Sequence, residues 1–311
     1  IILFIHNFEI IINAKSMLIG ELAALATAIF WSFSTIFFTQ GIAKVGVMQI
    51  NIDRLFLSAI LVWITLFIAR IYPTMSVMQF LFLVLSAISG LVFGDTFLFM
   101  AFDEIGPRLA QLIMAFAPPL AAILAFIFLK ESLSLFGIIG IIITTIGIFL
   151  VILEHDENSN KIVIKNKLGI LWATFGMIGQ AGGLILAKEA LRDGGINPIV
   201  ASGVRLISAF ILLVPIGYMT KRYHFGIRPY KENMKWIINP IMGSILGPYF
   251  GMTLSMVAIA YAKVGIASTI MSITPILMLP ISHYVFKEKL SWRPILGALI
   301  AVFGIGILFL K

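Results

Sequence analysis

The sequence contains no cysteine and little charge. Without thiols there can be no disulfide, no thiol nucleophile and no thiolate metal site. Only 12% of the 311 residues are charged and 60% are hydrophobic, whereas a soluble domain is about a quarter charged and about half apolar. Such a surface cannot keep the chain in water. Long polar stretches are also scarce: 154–167 and 219–235 are the longest, and neither could form a soluble domain. No signal peptide with a cleavage site is visible. The four histidines, His6, His155, His224 and His283, form no metal constellation, and no cofactor is expected. The net charge of +8 comes from Lys and Arg scattered over loops, which suits phospholipid head groups and not nucleic acid. Met17 is the expected start. Residues 1–16, with His6, Glu9 and Lys15, read as a surface helix or an extension and carry no assigned role.

What the chain has in quantity is itself. Residues 86–153 recur at 243–310, 157 positions later and without a gap. Gly90, Gly94, Ala110, Met114, Pro118, Glu131 and Gly147 return as Gly247, Gly251, Ala267, Met271, Pro275, Glu288 and Gly304. A bilayer core about 30 Å thick is crossed by roughly 20 apolar residues. Uncharged runs of that length lie at 22–43, 71–94, 109–129, 132–153, 168–187, 236–262, 264–286 and 294–310. Two more, 48–69 and 196–220, are each interrupted by one arginine, Arg54 or Arg205, the first also holding Asp53. The expected fold is therefore an all-α membrane protein with ten transmembrane helices. Five belong to a first unit at 17–153 and five to a second at 168–311, with a polar linker at 154–167. An odd number of spans per copy inverts the second copy, the arrangement of inverted-repeat carriers. Ten spans put both termini on one side. The loops on the other side hold thirteen Lys and Arg against seven, which the positive-inside rule would place in the cytoplasm. Eight of those thirteen lie in the two long polar segments, where the rule is weakest.

The run from Leu22 to Ser32, LAALATAIFWS, resembles the first helix of an EamA-type protein of the drug/metabolite transporter superfamily. Pro118, Leu129 to Leu133 and then Gly137, Gly140 and Gly147 resemble that family's fourth and fifth helices. The pattern recurs as Pro275, Phe286 to Leu290, Gly297 and Gly304. The likeness covers 17–310. It implies ten helices in two repeats, transport of a small metabolite and cytoplasmic termini. The last implication opposes the charge count, and the orientation of the family is preferred.

Asp95 stands out among the candidate site residues. It follows 24 uncharged residues in the third span. An ionisable group at that depth costs at least about 2.5–3.5 kcal/mol and normally faces a cavity or a partner. Burial disfavours the charged form of a carboxyl group, so such a residue is suited to carrying a proton. The competing reading is a structural bond to a neighbouring helix, with Arg54 as partner. The repeat-mate of Asp95 is Met252. Arg54 and Arg205 are also repeat-mates. They read as long side chains snorkelling to the head groups, with Asp53 offsetting Arg54; the alternative is a pair of cationic gates for an anionic solute. Trp31 and Gln180 correspond when Gly20 is aligned with Gly169. Each can wall a cavity or serve packing and interhelical hydrogen bonding. Tyr249, Gln111, Ser268 and Thr269 are weaker candidates. The ladders Ser86, Gly90, Gly94 and Gly243, Gly247, Gly251 read as close helix contacts. Pro118, Pro119, Pro275 and Pro280 read as kinks in the fourth and ninth spans.

The leading functional expectation is a secondary transporter in the cell membrane. It would export or exchange a small, partly apolar metabolite, such as an amino acid, by alternating access, with Asp95 as the proton site if protons drive it. No GxxxxGK[ST] nucleotide loop is present. Two other classes fit less well. Phe93, Gly94 and Asp95 partly match the Gly-x-Gly-Asp of intramembrane aspartyl proteases, but position 92 is Val, and HExxH and GxSxG are absent. A channel would need a filter loop or a ring of like charges, and the sequence offers neither.

Overall fold

The structure is a computed structural model. It describes the backbone of residues 2–153, 167–192, 194–231, 234–274, 276–277 and 292–308. Within these it describes the side chains of all but 2–16, 107–109, 111–112, 151–153, 294 and 308. All regular structure among the described residues is helical. That is the physical answer to hydrocarbon, where backbone groups can find partners only within a helix or a closed barrel.

Helix α1 (Ile2–Val45) turns at Gly46, whose φ of 88° only glycine adopts readily, into α2 (Val47–Ile68). A capping box starts α3 (Val77–Ala87): the Gln79 amide donates to Ser76 Oγ, and the Ser76 amide donates to Gln79 Oε1. The same rod continues through a π-helical segment, Ile88–Gly94, into α4 (Asp95–Met114), which bends at Gly106. After a two-residue break come α5 (Ala117–Leu124), a second π segment (Ala125–Leu129) and α6 (Leu135–Leu153). The second half begins with α7 (Leu168–Arg192) and α8 (Pro198–Met219). Then α9 (Ile238–Ser244), a π segment (Ile245–Met252) and α10 (Thr253–Tyr261) form one rod. Helices α11 (Val264–Met271) and α12 (Trp292–Leu308) follow.

Six stretches among the described residues are long and apolar enough to cross a membrane: Met17–Val45, Val47–Ile68, Val77–Gly106, Leu168–Arg192, Pro198–Met219 and Met234–Tyr261. Ala117–Leu129, Leu135–Leu150 and Ile295–Ile307 are shorter apolar helices. The third span thus starts six residues later than expected from the run 71–94 and passes well beyond Asp95. The expected fourth span, 109–129, is interrupted at 115–116. Pro118 and Pro119 do not kink that rod; they sit in the first turn of α5, where a missing N–H leaves no bond unmade. The chain breaks again at 272–273, the repeat-mates of 115–116. Pro275, Pro280, His283 and Glu288 lie outside the described residues.

Glycine contacts reveal how the halves meet. Gly147 packs on Ala301 and Gly304 packs on Thr144, the same two repeat positions used reciprocally. Helices α6 and α12 therefore run antiparallel about a local two-fold axis. Another pair of repeat-mates, α2 and α8, is antiparallel too: Gly203 meets Val62 and Leu66, and Gly217 meets Ile52. Across the centre, Gly169, Gly176, Gly179 and Gly183 of α7 meet Ile105, Leu98, Gly94 and Gly90 in reverse order. On α1, Gly20 meets Ala262, Trp31 meets Gly251 and Gly41 meets Asn239, again reversed.

Candidate functional site

The Gly-rich π segment Ile88–Gly94 delivers Asp95 to the centre of the protein. There the Asp95 amide donates to Gly90 O, five residues back, a widening of the helix that recurs at functional sites. The matching segment Ile245–Met252 contains Pro248, which cannot donate in an α-ladder. A cavity of about 170 Å³ lies between the halves. Trp31, Phe38, Arg54, Asp95 and Phe99 line it from the first half, and Gln180, Arg205, Met252, Ser255 and Ser268 from the second. Both broken helices border it as well, through Met114, Ala115 and Ala117 and through Met271, Ser272 and Thr274. Interrupted helices at a midplane site are a recurring device of transporters.

The charges inside are unequally matched. Arg54 Nη2 lies 2.5 Å from Asp95 Oδ2, and Gln180 Nε2 donates to Asp95 Oδ1 and, at 3.3 Å, to Gly90 O. Arg54 also donates from Nε and Nη2 to Asn51 Oδ1, at 2.9 and 2.8 Å. Its guanidinium stacks over Phe99, 4.6 Å from the ring centroid. Asn51 Nδ2 in turn donates to Thr96 Oγ1 at 2.8 Å, so α2 grips both sides of the Asp95 turn. Arg205 makes no such contact, although the charge of Asp95 acts on it through space. Its Nη1 approaches Met256 Sδ at 3.3 Å, its Nε is buried with no hydrogen-bond partner, and no carboxylate among the described residues forms an ion pair with it.

Both arginines correct the snorkelling expectation. Arg54 is 5% exposed, Arg205 3% and Asp95 7%, and all three face the cavity. Asp53 does not offset Arg54. It accepts from Tyr230 Oη at 2.5 Å and from Gln49 Nε2 at 2.9 Å, which pins the 220–231 loop to the start of α2. Burial, and then the charge of Asp53, push the Tyr230 phenol well above its usual range, so it stays a hydrogen-bond donor. Trp31, Asp95, Gln180, Arg54, Arg205 and Ser268 thus share one cavity. Tyr249 does not join them; its hydroxyl pairs with Thr65 Oγ1 at 2.8 Å, away from the lining. Thr269 is buried and donates to Gly265 O at 2.7 Å. The Gln111 side chain lies outside the described residues.

Sequence reasoning missed Asn51, Thr96, Ser255 and Met256. For Asn51 there was a signal, since Gln49, Asn51, Asp53 and Arg54 crowd four polar groups into one apolar span. Glu131 is another surprise. Beyond ending a span, it accepts from the Val264 amide at 3.0 Å and lies 3.6 Å from Lys188 Nζ. Lys188 also donates to Ile259 O at 2.6 Å and Ala262 O at 3.0 Å, the end of α10. One carboxylate and one ammonium thereby tie both halves together at the loop 262–263.

The fold and the cavity define a multi-pass helical membrane protein with a solute-sized internal site. Residues 18–153 and 167–310 each match the EamA-like transporter family, and the chain belongs to that family. It is 26% identical over 157 residues to the uncharacterized transporter YoaV of Bacillus subtilis (strain 168), which is 48% of this chain and 52% of that protein. It is 30% identical over 110 residues to an uncharacterized transporter of Buchnera aphidicola subsp. Schizaphis graminum (strain Sg), 34% of each chain. These matches span about half and about a third of the relatives' lengths. A solved crystal structure shares the fold, with a TM-score of 0.72 over 93% of this chain and 95% of that one at 14% identity.

Proposed function

We propose that this transporter is a secondary carrier of the cell membrane that exports or exchanges a small metabolite by alternating access. In this reading it has ten spans in two inverted five-helix halves, divided as 17–153 and 168–311 around the linker 154–167. The observation that carries the reading is the cavity lined from both halves and bordered by the two broken helices. Rocking of one half against the other opens such a site to each side in turn. The volume, about 170 Å³, compares with cavities of roughly 150 Å³ that accept a benzene-sized molecule. Aromatic walls with few polar groups suit a partly apolar solute on the scale of an amino acid.

Asp95 is the coupling residue in this scheme. Protonating it would remove the only carboxylate among the described lining residues and release Arg54 and Gln180 from it, which links proton occupancy to the packing of α2, α4 and α7. Purified protein in proteoliposomes tests both parts. Counterflow of labelled amino acids or related metabolites is expected, and its absence across a broad panel would overturn the carrier reading. Asp95→Asn is expected to fold and to lose pH-driven uptake. Retention of the wild-type pH dependence would remove Asp95 from coupling.

A further inference from the structure

Within that cavity we infer that Arg205 is the anchor for a carboxylate on the transported solute. The reasoning starts from charge. Two arginines and one aspartate are the charged residues lining the cavity among those described, and the aspartate is committed to Arg54 and Gln180. Arg205 is left without a direct anionic contact, its charge offset by Asp95 only through space. A guanidinium holds five N–H donors in a plane, matched to the two oxygens of a carboxylate. Around Arg205 those donors meet a thioether, and Nε meets nothing. A soft sulfur is a weak acceptor, so it holds the side chain in position without competing for it.

The neighbourhood also fixes what the rest of the solute must be. Gly90 lies directly beneath the guanidinium: a Cβ there would come within 3.1 Å of Nη2. Trp31, Phe38, Phe99 and Leu184 supply apolar wall for the solute's other end. Arg54 is less suited to the same part while Asp95 is charged, because Asn51 and Asp95 take the donors on its Nε and Nη2. The ligand class is therefore a monocarboxylate with an apolar body, which includes apolar amino acids. A second carboxylate would have no free cation to meet among the described lining residues.

The inference rests on the carrier reading only in placing the solute in this cavity, and binding tests it apart from flux. Purified protein in lipid nanodiscs is titrated, by calorimetry and thermal shift, with L-leucine, L-phenylalanine and 3-phenylpropionate. The carboxamide and alcohol counterparts of each are titrated in parallel. At least one carboxylate is expected to bind, with its carboxamide and alcohol counterparts at least tenfold weaker, the neutral counterparts of 3-phenylpropionate serving as the comparison free of any amine charge. Arg205→Gln is expected to weaken the carboxylate by tenfold or more and leave the counterparts unchanged, with Arg205→Lys in between. If Arg205→Gln does not fold, Arg205→Lys and Met252→Asp, which adds an acid to the lining of the same cavity, give the same test. Binding that ignores the carboxylate, binding unchanged in the Arg205 variants, or no carboxylate binding at all would overturn the assignment. Carboxylate binding without counterflow in proteoliposomes would leave the assignment standing and sink the carrier reading instead.

Discussion

The seam between the Val77–Gly106 span and α7 and the seam between the Met234–Tyr261 span and α1 occupy equivalent places in the two halves. Each rod carries the same ladder of small residues and the same π segment. In the first seam the ladder meets another glycine ladder. Gly90 lies against Gly183 and Gly94 against Gly179, while Ser86 and Ser89 donate to Gly183 O and Gly179 O at 2.6 and 2.9 Å. In the second, Gly243 and Gly247 receive the ring of Phe38, and Gly251 receives the indole of Trp31. The polar pair Asp95 and Gln180 thus faces, across the local axis, the apolar pair Met252 and Trp31. The difference teaches that one backbone plan, kept twice, carries different side chains where the two rods meet the cavity. A close backbone seam is rigid because nothing in it can rotate out of the way. A seam filled by aromatic rings can repack.

That contrast can be broken at four points, in falling order of effect. Gly183→Ala places a methyl within 2.8–2.9 Å of the Gly90 backbone. Overpacking against atoms that cannot move is expected to cost about 2–3 kcal/mol, read as a lower unfolding temperature in detergent. Gly247→Ala, whose methyl would meet first the Phe38 ring and Ser34 Oγ, at 3.0–3.1 Å, is expected to cost less than about 1 kcal/mol; equal losses would erase the distinction between the seams. Next, the exchange Asp95→Met with Met252→Asp moves the acid to the other half. It is expected to fold, to lose at least tenfold in carboxylate binding and to strand Arg54; restored binding would show the halves to be interchangeable. Third, Glu131→Gln keeps the hydrogen bond to Val264 but drops the attraction to Lys188. A partly buried pair of this kind contributes on the order of 1 kcal/mol, and under the proposed alternating access its loss is expected to shift the balance between inward- and outward-facing forms, measured as altered accessibility of a cysteine placed at Ser268. Smallest is Tyr230→Phe, which removes one donor from Asp53 and should cost about 1 kcal/mol or less, seen as faster proteolysis of the 220–231 loop.

Much of this organisation can be read in the chain. The repeat follows from matching glycines at a constant offset, and the spans follow from the thickness of hydrocarbon. Asp95, Arg54, Gln180 and Trp31 draw attention because polar or bulky groups at membrane depth need a reason. The direction of Arg205 was not legible. A long side chain two turns from a helix end can reach water or the interior equally well, and only Met256 and Gly90, from other helices, decide it. The break at 115–116 was hidden for a similar reason. Prolines at 118 and 119 suit a kink or a helix start alike, and the choice belongs to what packs around Ala117. Nor could the run 71–94 announce that its first residues lie outside the helix. Hydropathy reports an average, whereas Ser76 and Gln79 set the start by two hydrogen bonds.

The reciprocal contact of Gly147 with Ala301 and of Gly304 with Thr144 carries a last implication. A seam made twice from the same two positions would close equally well between separate half-length chains inserted in opposite directions. The pocket would not survive such a pairing. Two first-half chains would bring a pair of aspartates face to face, and two second-half chains would bring none. A lone acid beside two cations needs one copy of each half.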